Sequence, residues 1–167
     1  MLETERLPRD YCLGIYFLSR GNKNERFLVA DESRDFVSVV MAKRSVTSKT
    51  KILIYGTSPQ LVSWYENVLK ASRCPIDIIT LQDDDVGFIP RLPLKVQKRI
   101  TCRRQVTEAK EDEHHFLLFG QNTYLFDVNG NGVVWIGNFN EPDAVQRLRG
   151  RFERRLKESV PVPISQQ

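Results

Sequence analysis

Residues able to carry chemistry crowd into one stretch, residues 113–140, which reads EHHFLLFGQNTYLFDVNGNGVVWIGNFN and holds both histidines of the chain. At its head, Glu111, Asp112, Glu113, His114 and His115 offer carboxylate and imidazole groups within five residues. Successive side chains of an extended segment face opposite ways, so only alternate ones such as Glu113 and His115 can share a site. Two histidines fall short of a typical zinc set, and a charge cluster at the start of a strand is the preferred reading. Further on, Asp127-Val128-Asn129-Gly130-Asn131-Gly132 matches the opening of a calcium loop. The twelfth position, where a bidentate Glu belongs, is Asn138, and the flanks read as strands, so an Asn-Gly hairpin is favoured. A Cys–His nucleophile pair would need Cys102 beside His114 or His115 in space, and the apolar context of Cys12, Cys74 and Cys102 points instead to inert thiols. No metal and no cofactor is expected.

Two groups of cations could meet phosphates: Lys95, Lys98, Arg99, Arg103 and Arg104 in one segment, Arg147 and Arg151 in another. Glu153 and Glu158 are interleaved with the second group, as on an ordinary charge-laced helix face. Net charge is +4, from 25 Lys and Arg against 21 Asp and Glu, far from the excess of a dedicated nucleic-acid protein. Asn138 and Asn140 precede a predicted helix N-terminus, where backbone N–H groups favour anions. Capping of that helix is the equal alternative.

The elements that must position these residues follow from periodicity. Residues 116–119, 123–128 and 133–136 are short runs of aromatic and β-branched residues, which predicts buried strands with a hairpin between the last two. Residues 51–55 predict another strand, followed by Gly56-Thr57-Ser58-Pro59, a turn with a helix-starting signal. Leu61, Trp64, Tyr65, Val68 and Leu69 then recur at helical spacing, and residues 76–81 return to strand. This is a β-α-β unit, which implies a parallel pair. Residues 33–46 favour a helix, residues 95–104 a short helix leading into an edge strand, and residues 142–159 a closing helix. Residues 11–18 and 26–30 are apolar runs joined by a polar turn, either a hairpin or a helix-to-strand link. Residues 82–93 and 107–113 read as loops, and 160–167 as a frayed tail.

With 167 residues, 41% hydrophobic and 28% charged, the chain fits one α/β domain: an N-terminal extension over 1–32, a core over 33–159 and a tail. No apolar run is long enough to span a membrane. The opening MLETERLPRD lacks a signal-peptide core and the cysteines are odd in number, so a cytoplasmic setting is expected.

The element order, ending in Gly137-Asn138-Phe139-Asn140 and a helix, resembles one half of the phospholipase D superfamily. That family's signature is H-x-K, four residues to an Asp, and a later G-S-x-N before a closing helix. Gly137 and Asn140 match the second part, with Asn138 in place of the Ser. From His114 the lysine and aspartate positions are Phe116 and Gln121; from His115 they are Leu117 and Asn122. The resemblance implies a mixed sheet with a β-α-β core, a C-terminal hairpin and a closing helix. It extends to the sensor domains of TrmB-like regulators and small bacterial phospholipase D-like proteins. Its leading functional expectation is a non-catalytic module, self-associating as a homodimer, that binds a partner protein or small anionic ligand through Glu113, His114, His115, Gly137, Asn138 and Asn140. One alternative is a phosphodiesterase or nuclease using His114 or His115 as nucleophile across a homodimer. The other is nucleic-acid binding without catalysis.

Overall fold

A computed structural model describes residues 26–30, 33–44, 50–56, 62–81, 86–107, 114–130 and 132–164, with the backbone alone at 44 and 62–65. The strands are β1 (Phe27–Ala30), β2 (Ile52–Tyr55), β3 (Ile76–Thr80), β4 (Ile100–Gln105), β5 (Phe116–Phe119), β6 (Thr123–Asp127), β7 (Val134–Asn138) and β8 (Ser159–Pro161). The helices are α1 (Arg34–Arg44), α2 (Val62–Ala71), the single turn α3 (Leu94–Gln97) and α4 (Pro142–Lys157). A 3-10 turn at Ile89–Arg91 precedes α3.

All eight described strands join one sheet in the order β1-β7-β6-β5-β2-β3-β4-β8. The expected β-α-β unit is present: β2 and β3 are parallel neighbours joined through α2, and β4 runs parallel to β3. Every other pairing is antiparallel.

Helices cover both faces of this sheet, which explains why its central strands read as unbroken apolar runs. All four residues of β2 and of β5 are buried. On one face Ile52, Ile54, Ile76, Ile78, Leu117, Phe119, Leu125 and Trp135 pack with Val37 and Met41 of α1 and Val68 and Leu69 of α2. On the other, Leu53, Tyr55, Ile79, Phe116, Leu118 and Tyr124 pack under Ala144, Val145, Leu148 and Phe152 of α4. Those four α4 residues recur at one, four and eight positions from the first, a narrow apolar stripe on a helix otherwise rich in arginine.

The structure departs from the sequence reading at three places. Residues 159–161 form β8 against Arg103–Gln105 rather than a frayed tail, so β4 is not the edge of the sheet. Residues 89–91 take up a helical turn inside the expected loop, with Ile89 buried. The hairpin between β6 and β7 is one residue longer than the expected 129–132 connection: Val128 N–H donates to Val134 O and β7 starts at Val134, with Gly130 and Gly132 at positive φ. The predicted run at 11–18 lies outside the described residues. Among those described, no helix is long and apolar enough to cross a membrane.

Central burial sets the expected stability map. Leu117→Ala, at a fully buried site in β5, is expected to cost about 2–5 kcal/mol in denaturant unfolding. Leu28→Ser, on exposed β1, is expected to stay within about 0.5 kcal/mol of the parent. Equal losses at the two sites would contradict the doubly covered sheet.

Candidate functional site

Strand alternation and the β6–β7 register decide which polar residues can meet. Tyr124 and Asn138 are directly opposite partners, so their side chains share the α4 face of the sheet. Beyond β7 the chain turns sharply: Asn138 Oδ1 accepts the Asn140 N–H at 2.9 Å, and Thr123 Oγ1 donates to Phe139 O at 2.9 Å. Glu141 follows, its backbone N–H donating to Asn122 O at 2.8 Å, and Pro142 opens α4. The N-cap position of the helix is therefore Glu141 and not either asparagine.

The Glu141 side chain turns back over this corner. Tyr124 Oη donates to its Oε2 through a short hydrogen bond, Asn138 Nδ2 lies 3.4 Å from the same oxygen, and Arg26 Nε donates to Oε1 at 2.9 Å with a second guanidinium contact beside it. Glu141 keeps only 12% of its side-chain surface exposed, whereas Arg26 keeps 59% and reaches in from solvent. Arg26 above all, then Tyr124, holds the Glu141 carboxyl below its ordinary range against the opposing effect of burial. Burial, reinforced by the Glu141 carboxylate, keeps the Tyr124 phenol protonated well into the alkaline range. Carboxylate, phenol, amide and guanidinium thus form one closed network.

The histidines lie elsewhere. His115 O accepts the Asp127 N–H at 2.9 Å, which sets His115 three residues along β6 from Tyr124, about 10 Å away along the strand. By alternation from Phe116, His115 belongs to the α1–α2 face. Its ring lies over Gly56, where any Cβ would meet the imidazole Nδ1 at 2.4 Å and where φ is +70°. His114 stacks on Phe126 with ring centroids 5.4 Å apart, and its Nδ1 lies 2.7 Å from Asp127 O. His114 and His115 therefore share one end of the sheet, while Asn138 and Asn140 stand at the other end. Glu113 falls outside the described residues. Gly137 has a packing role: a Cβ there would meet Met41 Cε and Phe27 Cζ at 2.9 Å.

Asp127, first of the calcium-like pattern, is buried and accepts the Gly132 N–H at 2.9 Å, as a hairpin brace does. Cys102 is buried in β4, three strands or about 14 Å across the sheet from β5. Burial pushes its thiol up to about 12, so it is a poor nucleophile at neutral pH.

The cations divide between the two faces of the sheet. Arg103 is tied to β8, donating to Ser159 Oγ and Ser159 O at 2.7 Å each. Arg104 is also partnered, and Arg147 and Arg151 are exposed on α4. Lys98 is exposed just beyond α3. Lys95 and Arg99 enter an open groove of about 920 Å³ between α1, α2 and α3. Lys43 of α1 and Lys70 and Arg73 at the end of α2 line it with them.

Comparison with solved structures gives the fold a name. The chain superposes on TrmBL2, an archaeal chromatin protein whose structure shows a novel mode of DNA binding, with TM-score 0.57 and 12% identity over 92% of this chain. It spans 61% of the TrmBL2 chain. It also superposes on Nuc, a phospholipase D family member from Salmonella typhimurium, with TM-score 0.59 and 10% identity over 85% of this chain and 100% of Nuc. The fold is phospholipase D-like. NucT from Helicobacter pylori matches this phospholipase D-like fold in the same way, with TM-score 0.54 and 12% identity over 84% of this chain and 99% of that one. No protein family's sequence profile matches the chain, and no curated protein does.

Sequence reasoning missed Arg26, Tyr124 and Glu141. Tyr124 was reachable from the hairpin register, had the turn length been known. Arg26 lies 115 residues from Glu141 and carries no local signal.

The network makes a pH-dependent prediction. Because the Glu141 pKa is depressed, its contribution is complete above the ordinary range near about 4.3 and is lost as pH falls through the lower folded value. Glu141→Gln is expected to lower unfolding free energy by about 1–3 kcal/mol at neutral pH. That gap should close as urea midpoints are followed down towards about pH 3. A gap independent of pH, or one that widens in acid, would contradict the assignment.

Proposed function

We propose that this phospholipase D-like chain is a non-catalytic module that acts by binding an anionic partner, and that its β6–β7 corner is a closed remnant of a phosphate-handling edge. The supporting observation is the carboxylate of Glu141 held among Tyr124, Asn138 and Arg26. Gly137-Asn138-Phe139-Asn140 ends β7, and the strands paired with that end are β6 and β1, not the histidine-headed β5. Carried onto β6 with its lysine position opposite Asn138, the H-x-K-x4-D pattern falls on Asn122, Tyr124 and Asn129. An amide stands for the imidazole, a phenol for the ammonium, and a second amide for the orienting acid.

Phosphoryl transfer by a side-chain nucleophile needs an activated nucleophile and positive charge where the phosphoryl oxygens gain charge. At this corner a carboxylate takes up Arg26, the one cation that reaches it among the described residues, and it would repel an incoming phosphodiester. His114 and His115, at the opposite end of β5 and β6, have no ammonium beside them in the described contacts. Binding is the function that remains for such a scaffold, and it falls to surfaces other than this corner.

The test is hydrolysis of a generic phosphodiester and of single- and double-stranded DNA by the pure protein and by its H114A/H115A variant. Wild type and variant should both stay at the buffer rate. Turnover that disappears in the variant would overturn the proposal in favour of the histidine-dependent phosphodiesterase.

A further inference from the structure

We infer that the open groove between α1, α2 and α3 is a binding surface for the phosphate backbone of double-stranded nucleic acid. Helical spacing builds it: Asp35, Val39 and Lys43 recur every fourth residue on α1, while Lys95 and Arg99 are four apart across α3. Lys70 and Arg73 complete the lining from the end of α2. Among the described lining residues five cations face one carboxylate, Asp35, whose Oδ2 is occupied by the Asn67 side-chain amide at 2.9 Å. Among the described residues only Lys70 of the five is in an ion pair, with Glu66 at 2.9 Å.

Helix dipoles give Lys43, Lys70 and Arg73 a local reason to sit near the C-terminal turns of α1 and α2. Lys95, in the single turn α3, and Arg99, just beyond it, come in from the far side of the groove. Arg99 adds an independent observation: its Nε is buried and has no hydrogen-bond partner among the described residues. A buried guanidinium N–H without a partner is rare in folded proteins, and the Arg99 side chain also lines the groove, where its guanidinium can meet a phosphate oxygen.

The lining also selects among anions. Among the described residues its lining has no aromatic side chain on which a base could stack, so these residues offer contacts to the backbone and not to unpaired bases. Its apolar members, Val39, Ala71 and Val96, are small, and no large exposed apolar side chain is among them to insert into a lipid surface. Its span exceeds one phosphate, which fits a run of phosphates along a duplex. The inference goes beyond the closed β6–β7 corner: phosphodiester turnover would overturn the corner reading and leave the groove standing.

The experiment is fluorescence anisotropy of the full chain with a labelled random-sequence DNA duplex, the matching single strand, and phosphatidylserine vesicles as separate arms. Duplex affinity is expected to fall on the order of 100-fold between about 50 and about 200 mM salt, as four or five neutralised phosphates require. The triple variant K43E/R73E/K95E should lose binding at least about tenfold, while R147E/R151E on the opposite face keeps it. The neutral K43Q/R73Q/K95Q triple, with its melting curve, separates loss of charge from loss of fold. No duplex binding at the lower salt, loss through R147E/R151E with the groove triple intact, or tighter binding to vesicles than to duplex would each overturn the inference.

Discussion

Glu141 occupies the point where the meander β5-β6-β7 hands the chain to α4, and it is bonded to each element that meets there. Its backbone N–H holds the β5–β6 turn at Asn122, its carboxylate takes the Tyr124 phenol from β6 and the Asn138 amide from β7, and Arg26 closes over it from the residue before β1. A largely buried carboxylate is costly unless its lone pairs are used, so the corner tolerates little rearrangement. The same bonds fix the angle at which α4 leaves the sheet, and with it the seating of Val145, Leu148 and Phe152 on that face.

This constraint links fold to function. In a sheet covered on both faces, open polar space is confined to strand ends and to clefts between helices. Here the β6–β7 corner is filled by the protein's own side chains. At the other end of the sheet, His115 lies over Gly56 and His114 stacks on Phe126. The cleft between α1, α2 and α3 is open, and among its described lining residues the cations outnumber the acids. A scaffold of this kind can exchange chemistry for binding without moving a strand, because the strands are fixed by the two apolar layers and not by the polar corner.

Much of the scaffold was legible in the sequence, and for a physical reason. The runs at 52–55 and 116–119 are apolar on both sides because both faces are buried, and the helical spacing before Val68 and Leu69 marked the helix that packs on them. The polar corner was not legible. A one-residue change in the β6–β7 register turns every side chain of a strand to the other face, and only the structure reveals that 129–133 form the connection that puts Tyr124 opposite Asn138. The resemblance to a phospholipase D half grouped His115 with Asn138, but strand direction separates them. Arg26, β8 and the groove cations depend on contacts between distant segments that no local pattern encodes.

The account rests on an ionised, internally bonded Glu141, and carbon-13 NMR of its side-chain carboxyl as a function of pH reads that state directly. The account predicts a titration midpoint below that of a free glutamate, moving up towards the ordinary value in Arg26→Gln and in Tyr124→Phe. A midpoint at or above the free-glutamate value, unmoved by either substitution, would mean that the carboxylate faces solvent and that the corner is open.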